Sequence, residues 1–444
     1  MLGTIYQTNY AENAKLGSMS EPYEKPQLYY HLNFQDSSIL ESHPDKFQSV
    51  VVNANIVSHA SFGVKKFLHD LQKPFIIDPI TYAYAMPLKG IIVKDKKTKT
   101  EDLKLSYRNL ATRYSGPFLK CLELTKLEPS DFSEVQISTQ VAENVIAFQR
   151  DLPGNVASVV RYRRLRKRKE IAEELRPNFL LTPYFHFETV NDQWYEISLQ
   201  LCQNAKGFRG DLDLYAVLCL SRDCIQSVEA RKEIVKDYAG FDGIVIWVPG
   251  MRHETSPASS LVSLKDLISM FVAFKKPVIL MHAGYFGALL SKVGLTGFSC
   301  GLCYGETKRL VPAAGRLPAP IKYYLPKVHL LRPRDIAALF YSEQNATLLC
   351  RCPVCLSIRE RIGHASQRDT PKLIGEFFSK ILLEEAQEHF LTCRAEEAKM
   401  LRNETKATTL KRLESERNFV QNEMSPPPVT TMTNHLQRWI YALT

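Results

Sequence analysis

The chain has no run of about 18 or more apolar residues, so the usual signature of a membrane-spanning helix is missing. Its first residues, MLGTIYQTNYAENAKLGS, lack a charged region followed by an apolar one, and no secretory leader is expected. Cysteine is sparse, 10 in 444 residues, which excludes a disulfide scaffold. Without an export signal the thiols are expected to be reduced and the location cytoplasmic. No GxGxxG follows the early apolar runs, which argues against a dinucleotide-binding open sheet. No short internal repeat is visible. Acidic residues are also in deficit, 47 against 57 Lys and Arg, for a net charge of +10.

That imbalance favours a polyanionic partner, and nucleic acid is the one expected. The densest basic cluster is RYRRLRKRK at 161–169, with seven basic residues in nine. It runs into EIAEEL and reads as a basic helix. Arg163, Arg164 and Arg166 are its candidate phosphate contacts, because like charges packed this closely repel unless something neutralises them. The composition, 45% hydrophobic and 23% charged, is that of a globular protein long enough to bury a large core.

Short apolar runs rich in β-branched and aromatic residues alternate with amphipathic stretches. The runs are SVVVNANIV (49–57), PFIID (74–78), NFLLTPYF (178–185), DLYAVLCL (213–220), GIVIWVPG (243–250), PVILMHAG (277–284), GFSCGLCYGE (297–306) and KVHLL (327–331). Near-continuous apolar strands separated by helices indicate parallel strands buried on both faces. Eight of them point to a (β/α)8, TIM-like barrel of α/β class, with an open doubly wound sheet as runner-up. The expected boundaries are an irregular arm over 1–47, the barrel over 48–345, a metal-binding subdomain over 346–402 and a helical tail over 403–444. Chemistry in such a barrel gathers at the C-terminal strand ends. Those ends carry Asp78, Tyr184, Cys219, His282, Ser299 and Glu306, with Gly250 and Gly284 allowing close backbone approach to a ligand.

CRCPVC (350–355) places three cysteines in six residues. Zinc takes four soft or borderline ligands in a tetrahedron, and a tight turn carrying Pro353 brings Cys350, Cys352 and Cys355 together. The fourth ligand must come from elsewhere. His389, on a helical stretch able to pack back on the loop, is the leading candidate, and His364 and Cys393 are rivals. Three thiolates and one imidazole leave no open position, so the expected Zn2+ is structural.

A barrel followed by C-x-C-x2-C and a later helical His resembles the tRNA-guanine transglycosylase superfamily, whose archaeal-type members CRCPVC is especially similar to. KPFIIDPITYAYAMP, IVKDYAGFDGIVIWVPGMRHE, KPVILMHAG and KVGLTGFSCGLCYGE resemble family segments in the same order. The resemblance implies a barrel with a Cys3His zinc subdomain, exchange of guanine for a 7-deazaguanine base in tRNA or DNA, a purine-like small ligand, and a homo- or heterodimer. It also implies that Asp78 matches an active-site carboxylate acting as general acid/base.

The departures bear on activity. Where the family has its nucleophilic Asp, in "Phe-Asp-Cys", this chain has Ser299. A second family carboxylate falls near Tyr184, and WVPG (247–250) replaces a Gly-Gly pair. A Ser hydroxyl attacks C1′ poorly without an adjacent base. His282 is the candidate base, and Glu306 the candidate replacement carboxylate. On a regular strand Glu306 would face away from Ser299. Two readings follow: a divergent transglycosylase, or a catalytically degenerate relative that binds nucleic acid or a partner subunit. A third uses Asp78 and Glu306 as a carboxylate pair at a glycosidic bond.

Overall fold

The computed structural model describes residues 26–95, 97–98, 100–152, 175–303, 306–311, 320–341, 345, 348–363, 370–422 and 434–444. Eight parallel strands form a nearly closed barrel: β1 (Gln27–His31), β2 (Ser49–Asn53), β3 (Phe75–Asp78), β4 (Leu180–Leu181), β5 (Leu214–Leu220), β6 (Gly243–Trp247), β7 (Val278–Leu280) and β8 (Gly297–Cys300). Each strand pairs with its neighbour in sequence from β1 to β3 and from β4 to β8, and β8 pairs back onto β1. Between β3 and β4 the wall is bridged by Asn178, whose N–H donates to Phe75 O at 2.8 Å.

The strands form where the sequence is apolar on both faces. All seven residues of β5 and all five of β6 are buried. Their β-branched side chains fill the barrel from within and meet the helices outside. At Gly243 a Cβ would collide with the Tyr215 ring lying over it, so only glycine admits that ring. Helices α1 (Ala54–Leu71) and α2 (Ala258–Ala273) belong to the outer layer.

Two expectations change. Residues 26–47, read as part of an irregular arm, contain β1, which lies in parallel register with both β2 and β8. QLYYH is short and flanked by polar residues, and only pairing on both sides makes it a wall strand. KVHLL is not a barrel strand. Its end joins β10 (Leu330–Pro333), which pairs antiparallel with β9 (Lys322–Leu325) in a separate hairpin. Pro333 has no N–H to give and suits the end of such a two-stranded edge. β8 itself stops at Cys300, and Cys303 has φ +59°. The strand-parity argument therefore does not extend to Glu306.

The β9–β10 hairpin and helices α3 (Pro353–Arg361), Pro371–Lys380 and α4 (Leu383–Asn403) surround a second apolar core that includes Tyr323, Phe340, Ile358, Phe377 and Ala386. Two helices follow, α5 (Lys406–Asn422) and α6 (Asn434–Leu443). The last docks on the barrel. Trp439 Nε1–H donates to His253 O at 2.9 Å and His435 Nε2–H to Val328 O at 2.8 Å. Among the described residues no helix is long and apolar enough to cross a membrane.

Candidate active site and metal centre

Asp78 is the last residue of β3 and is 1% exposed. The chain turns sharply after it, with Ile80 at φ +48°. Asp78 Oδ1 accepts from Ile80 N–H at 3.0 Å and from the Tyr184 hydroxyl at 2.8 Å. The turn is braced by Thr81, whose hydroxyl donates to Tyr184 O at 2.5 Å and accepts from Tyr184 N–H at 2.8 Å. Asp78 Oδ2 is buried with no hydrogen-bond partner among the described residues.

A continuous row of rings links Asp78 to Ser299. Tyr184 stacks on Tyr82 at 5.5 Å, Tyr82 meets Trp247 edge-on at 4.8 Å, and Trp247 meets His282 at 5.4 Å. His282 stacks on His31 at 4.1 Å with 13° between the planes. Lys308 Nζ lies 5.5 Å from the Tyr82 ring and 5.3 Å from the Trp247 ring, within cation–π range. Trp247 Nε1 is, like Asp78 Oδ2, buried without a hydrogen-bond partner among the described residues. His282 holds φ +54° at the end of β7, a strained backbone for a non-glycine residue, costing on the order of 1 kcal/mol.

Ser299 is fully buried. It lies 2.8 Å from His31 Nε2 and accepts the His282 backbone N–H at 3.1 Å. Burial, assisted by the Lys308 charge, pulls the His31 pKa down to about 3, so the imidazole that shares a hydrogen bond with Ser299 is neutral. Burial and then the Asp78 charge push the Cys219 thiol well above its usual value. It is a neutral wall group, not a thiolate.

Glu306 belongs to a different set. Arg394 Nη2 donates to its Oε1 at 2.5 Å, and the same carboxylate rests against Gly284, where a Cβ would come within 3.2 Å of Oε1. Burial, against the opposing pull of Arg394, raises its pKa to about 7. Arg394 also donates to Glu397 at 2.8 Å. Glu397 contacts His329 Nδ1 at 2.6 Å, and His329 Nε2 lies 3.0 Å from Glu416. Arg412 then donates to Glu416 at 3.0 Å, to Glu404 at 2.8 Å and to the Tyr285 hydroxyl at 2.8 Å. This alternating chain of charges joins the rim beyond β7 and β8 to α4 and α5. Gly250, at φ +70°, donates its N–H to Lys308 O at 2.8 Å and so ties the loop after β6 to the segment carrying Lys308.

Cys350, Cys352, Cys355 and His389 place their donor atoms within 4.8 Å of one another, a cluster geometrically capable of holding a metal. Cys352 caps α3, whose first residue is Pro353. His389 Nδ1 lies 3.3 Å from Cys352 Sγ and 3.4 Å from Cys355 Sγ. Its other nitrogen, Nε2, donates to Tyr324 O at 2.9 Å, fixing the tautomer that turns Nδ1 to the sulfurs. The Tyr323 ring stacks on the imidazole at 4.2 Å, and its hydroxyl is 3.1 Å from Cys355 Sγ. Cys393 is adjacent, one helical turn after His389. His364 lies outside the described residues, as do Arg163, Arg164 and Arg166.

The structure thus gathers Asp78, Tyr184, Cys219, His282 and Ser299 in one region and sets Glu306 in the ion network. His31, Tyr82 and Lys308 were not among the candidates from sequence. His31 was hidden because β1 was not read as a strand. Tyr82 lies in the quoted turn ITYAYAMP, where a ring next to a strand-end Asp was the available signal. A TIM-like barrel carrying a candidate metal cluster is compatible with an enzyme acting on a small molecule. No protein-family model matches the chain, and no curated protein matches it.

Proposed function

We propose that this protein is a divergent transglycosylase-like enzyme that exchanges a purine-like base at the glycosidic bond of tRNA or DNA, with Asp78 as the reacting carboxylate. The observation that carries this reading is that Asp78 Oδ2 and Trp247 Nε1, on either side of the Tyr184–Tyr82–Trp247 row of rings, are both buried with no hydrogen-bond partner among the described residues. Buried polar groups without partners are rare, and an acceptor and a donor of this kind beside stacked rings suit a flat heterocycle on a sugar. Ser299 is already engaged: its hydroxyl shares a hydrogen bond with His31 Nε2 and its oxygen accepts from the His282 N–H. Asp78 keeps an oxygen with no hydrogen-bond partner among the described residues, and a carboxylate suits an oxocarbenium-like centre.

In this scheme an Asp78 oxygen bonds to C1′ as the C1′–N bond breaks, and the electron pair leaves with the base. The incoming base then attacks C1′ and frees the carboxylate. One proton is gained by the departing base and one is lost by the arriving base, so no outside reagent is consumed. Lys308 offers positive charge beside the rings where the base would lie. The Cys3His cluster is read as a structural Zn2+ site.

The test is incorporation of radiolabelled guanine into bulk tRNA and into duplex DNA, with trapping of a covalent complex on denaturing gels. Incorporation into one of them, lost by at least about 100-fold in Asp78→Asn and kept in Ser299→Ala, supports the reading. The complete burial of Ser299 favours a second reading, a non-exchanging relative that binds nucleic acid or a partner subunit. Absent incorporation with retained nucleic-acid binding would sink the first reading and support the second.

A further inference from the structure

The metal cluster holds one thiol more than a tetrahedron uses. Cys393 follows His389 by one turn of α4, and its Sγ is 3.5 Å from His389 Nδ1, close to the 3.3 and 3.4 Å of Cys352 and Cys355. It also lies 4.0 Å from Cys350 Sγ. With Zn–S about 2.3 Å and Zn–N about 2.0 Å, the edges of a tetrahedral site come to about 3.8 Å for S···S and about 3.5 Å for S···N. Cys393 therefore stands at ligand-edge distance from His389 and Cys350, although it falls outside the group of four that all lie within 4.8 Å of one another. Cys355, in turn, is held by the Tyr323 hydroxyl at 3.1 Å.

We propose that Cys393 is a reserve metal donor: it completes a second tetrahedron on the shared face of Cys350, Cys352 and His389 whenever Cys355 lets go. The inference rests on the metal reading of the cluster. The exchange balances: as the bond from the metal to Cys355 breaks, the Cys393 sulfur binds in its place, and the proton that Cys393 loses is taken up by the released Cys355 thiolate. The helical spacing makes it achievable, because residues four apart on a helix lie on one face. A ligand that dissociates is then replaced before the ion escapes, so the site keeps its metal longer than a four-donor site would.

The experiment uses the full chain with zinc or cobalt(II) as the probe. Wild type binding one ion per chain establishes the metal reading, and no bound metal defeats that reading before the reserve thiol is tested. Cys355→Ser is expected to retain one ion with a tetrahedral cobalt(II) spectrum and three-thiolate charge transfer, while Cys355→Ser/Cys393→Ser loses it. Loss of metal from Cys355→Ser equal to that of the double variant overturns the proposal. In the otherwise native chain, Cys393→Ser is expected to release zinc to excess chelator about 10-fold faster, in line with the size of effects from groups next to a metal. An unchanged or slower release rate overturns the proposal as well, and this arm does not depend on whether the Cys355 variant folds.

Discussion

At the strand ends around Asp78, Asp78 Oδ2 and Trp247 Nε1 are buried without hydrogen-bond partners among the described residues. Further along the same rim, Glu306, Glu397 and Glu416 are each matched by Arg394, His329 or Arg412. The first arrangement has unmet hydrogen-bonding capacity, as expected where a ligand is to be received. The second is closed on itself and serves attachment, joining the barrel to α4 and α5. Helix α4 carries both His389 and Arg394, so the metal cluster and the ion network are positioned by one rigid element.

If this contrast is right, the largest effects come from breaking the closed side. Removing metal with a chelator, or replacing Cys352 by Ser, is expected to unfold the C-terminal subdomain, since metal binding to such sites is worth on the order of 10 kcal/mol. Loss of the transition in that subdomain would be read by calorimetry with and without chelator. An unchanged melting profile, or no stoichiometric zinc in the native protein, would count against the structural metal.

Next in size is Arg394→Ala. It strips the cation from Glu306 and Glu397 while Arg394 itself is fully buried, and is expected to cost about 3–5 kcal/mol in urea unfolding. Combining it with Glu306→Gln should recover part of that loss. At the open side, Ser299→Ala leaves His31 Nε2 without its hydroxyl partner and is expected to cost only about 1–3 kcal/mol. Asp78→Asn should barely affect stability yet abolish base exchange, which separates a reactive group from a structural one.

The smallest effect is a slope in pH. Burial holds the folded-state pKa of Glu306 near 7, above its ordinary value of 4.5. The folded protein then binds the proton more tightly than the unfolded chain. Its contribution is fully present below pH 4.5 and is lost as pH rises through about 7. His329 has the same sign: burial opposes its charge, but Glu397 and Glu416 outweigh burial and raise its pKa, so its contribution fades as pH rises above 6.5. Burial lowers the pKa values of His31, His253 and His435, which pulls the overall profile the other way, so the readout is a difference: the gap in urea midpoint between the native protein and Glu306→Gln should change as pH rises from 4.5 through about 7 and level off above it. A slope unaltered by that substitution would mean that Glu306 is not the group responsible.

Much of the architecture was legible in the chain, because its strands are apolar on both faces and helical patterns separate them. SVVVN, LYAVLCL and GIVIW announce buried parallel strands by composition alone. The run SVVVNANIV ends as a strand at Asn53, its ANIV opening α1. QLYYH and KVHLL were misassigned. Both are about five residues long, too short for periodicity to distinguish a barrel strand from an edge hairpin. At the candidate site, Asp78 was readable from its place at the end of an apolar run. Its aromatic company was only partly so, since Tyr82, Trp247, His282 and His31 come from four separate chain segments. That Glu306 pairs with Arg394 was not readable for a similar reason: the two lie 88 residues apart.

The sequence by itself determined the grouping of three cysteines in the CRCPVC turn, the barrel class and the position of Asp78 at a strand end. Those depend on local spacing and on runs of apolar residues, which short-range physics sets. Which fourth donor faces the thiols, that His31 meets Ser299, and that Glu306 pairs with Arg394 were decided only by the tertiary structure. Each depends on which strands and helices become neighbours, and that follows from burying the whole core at once.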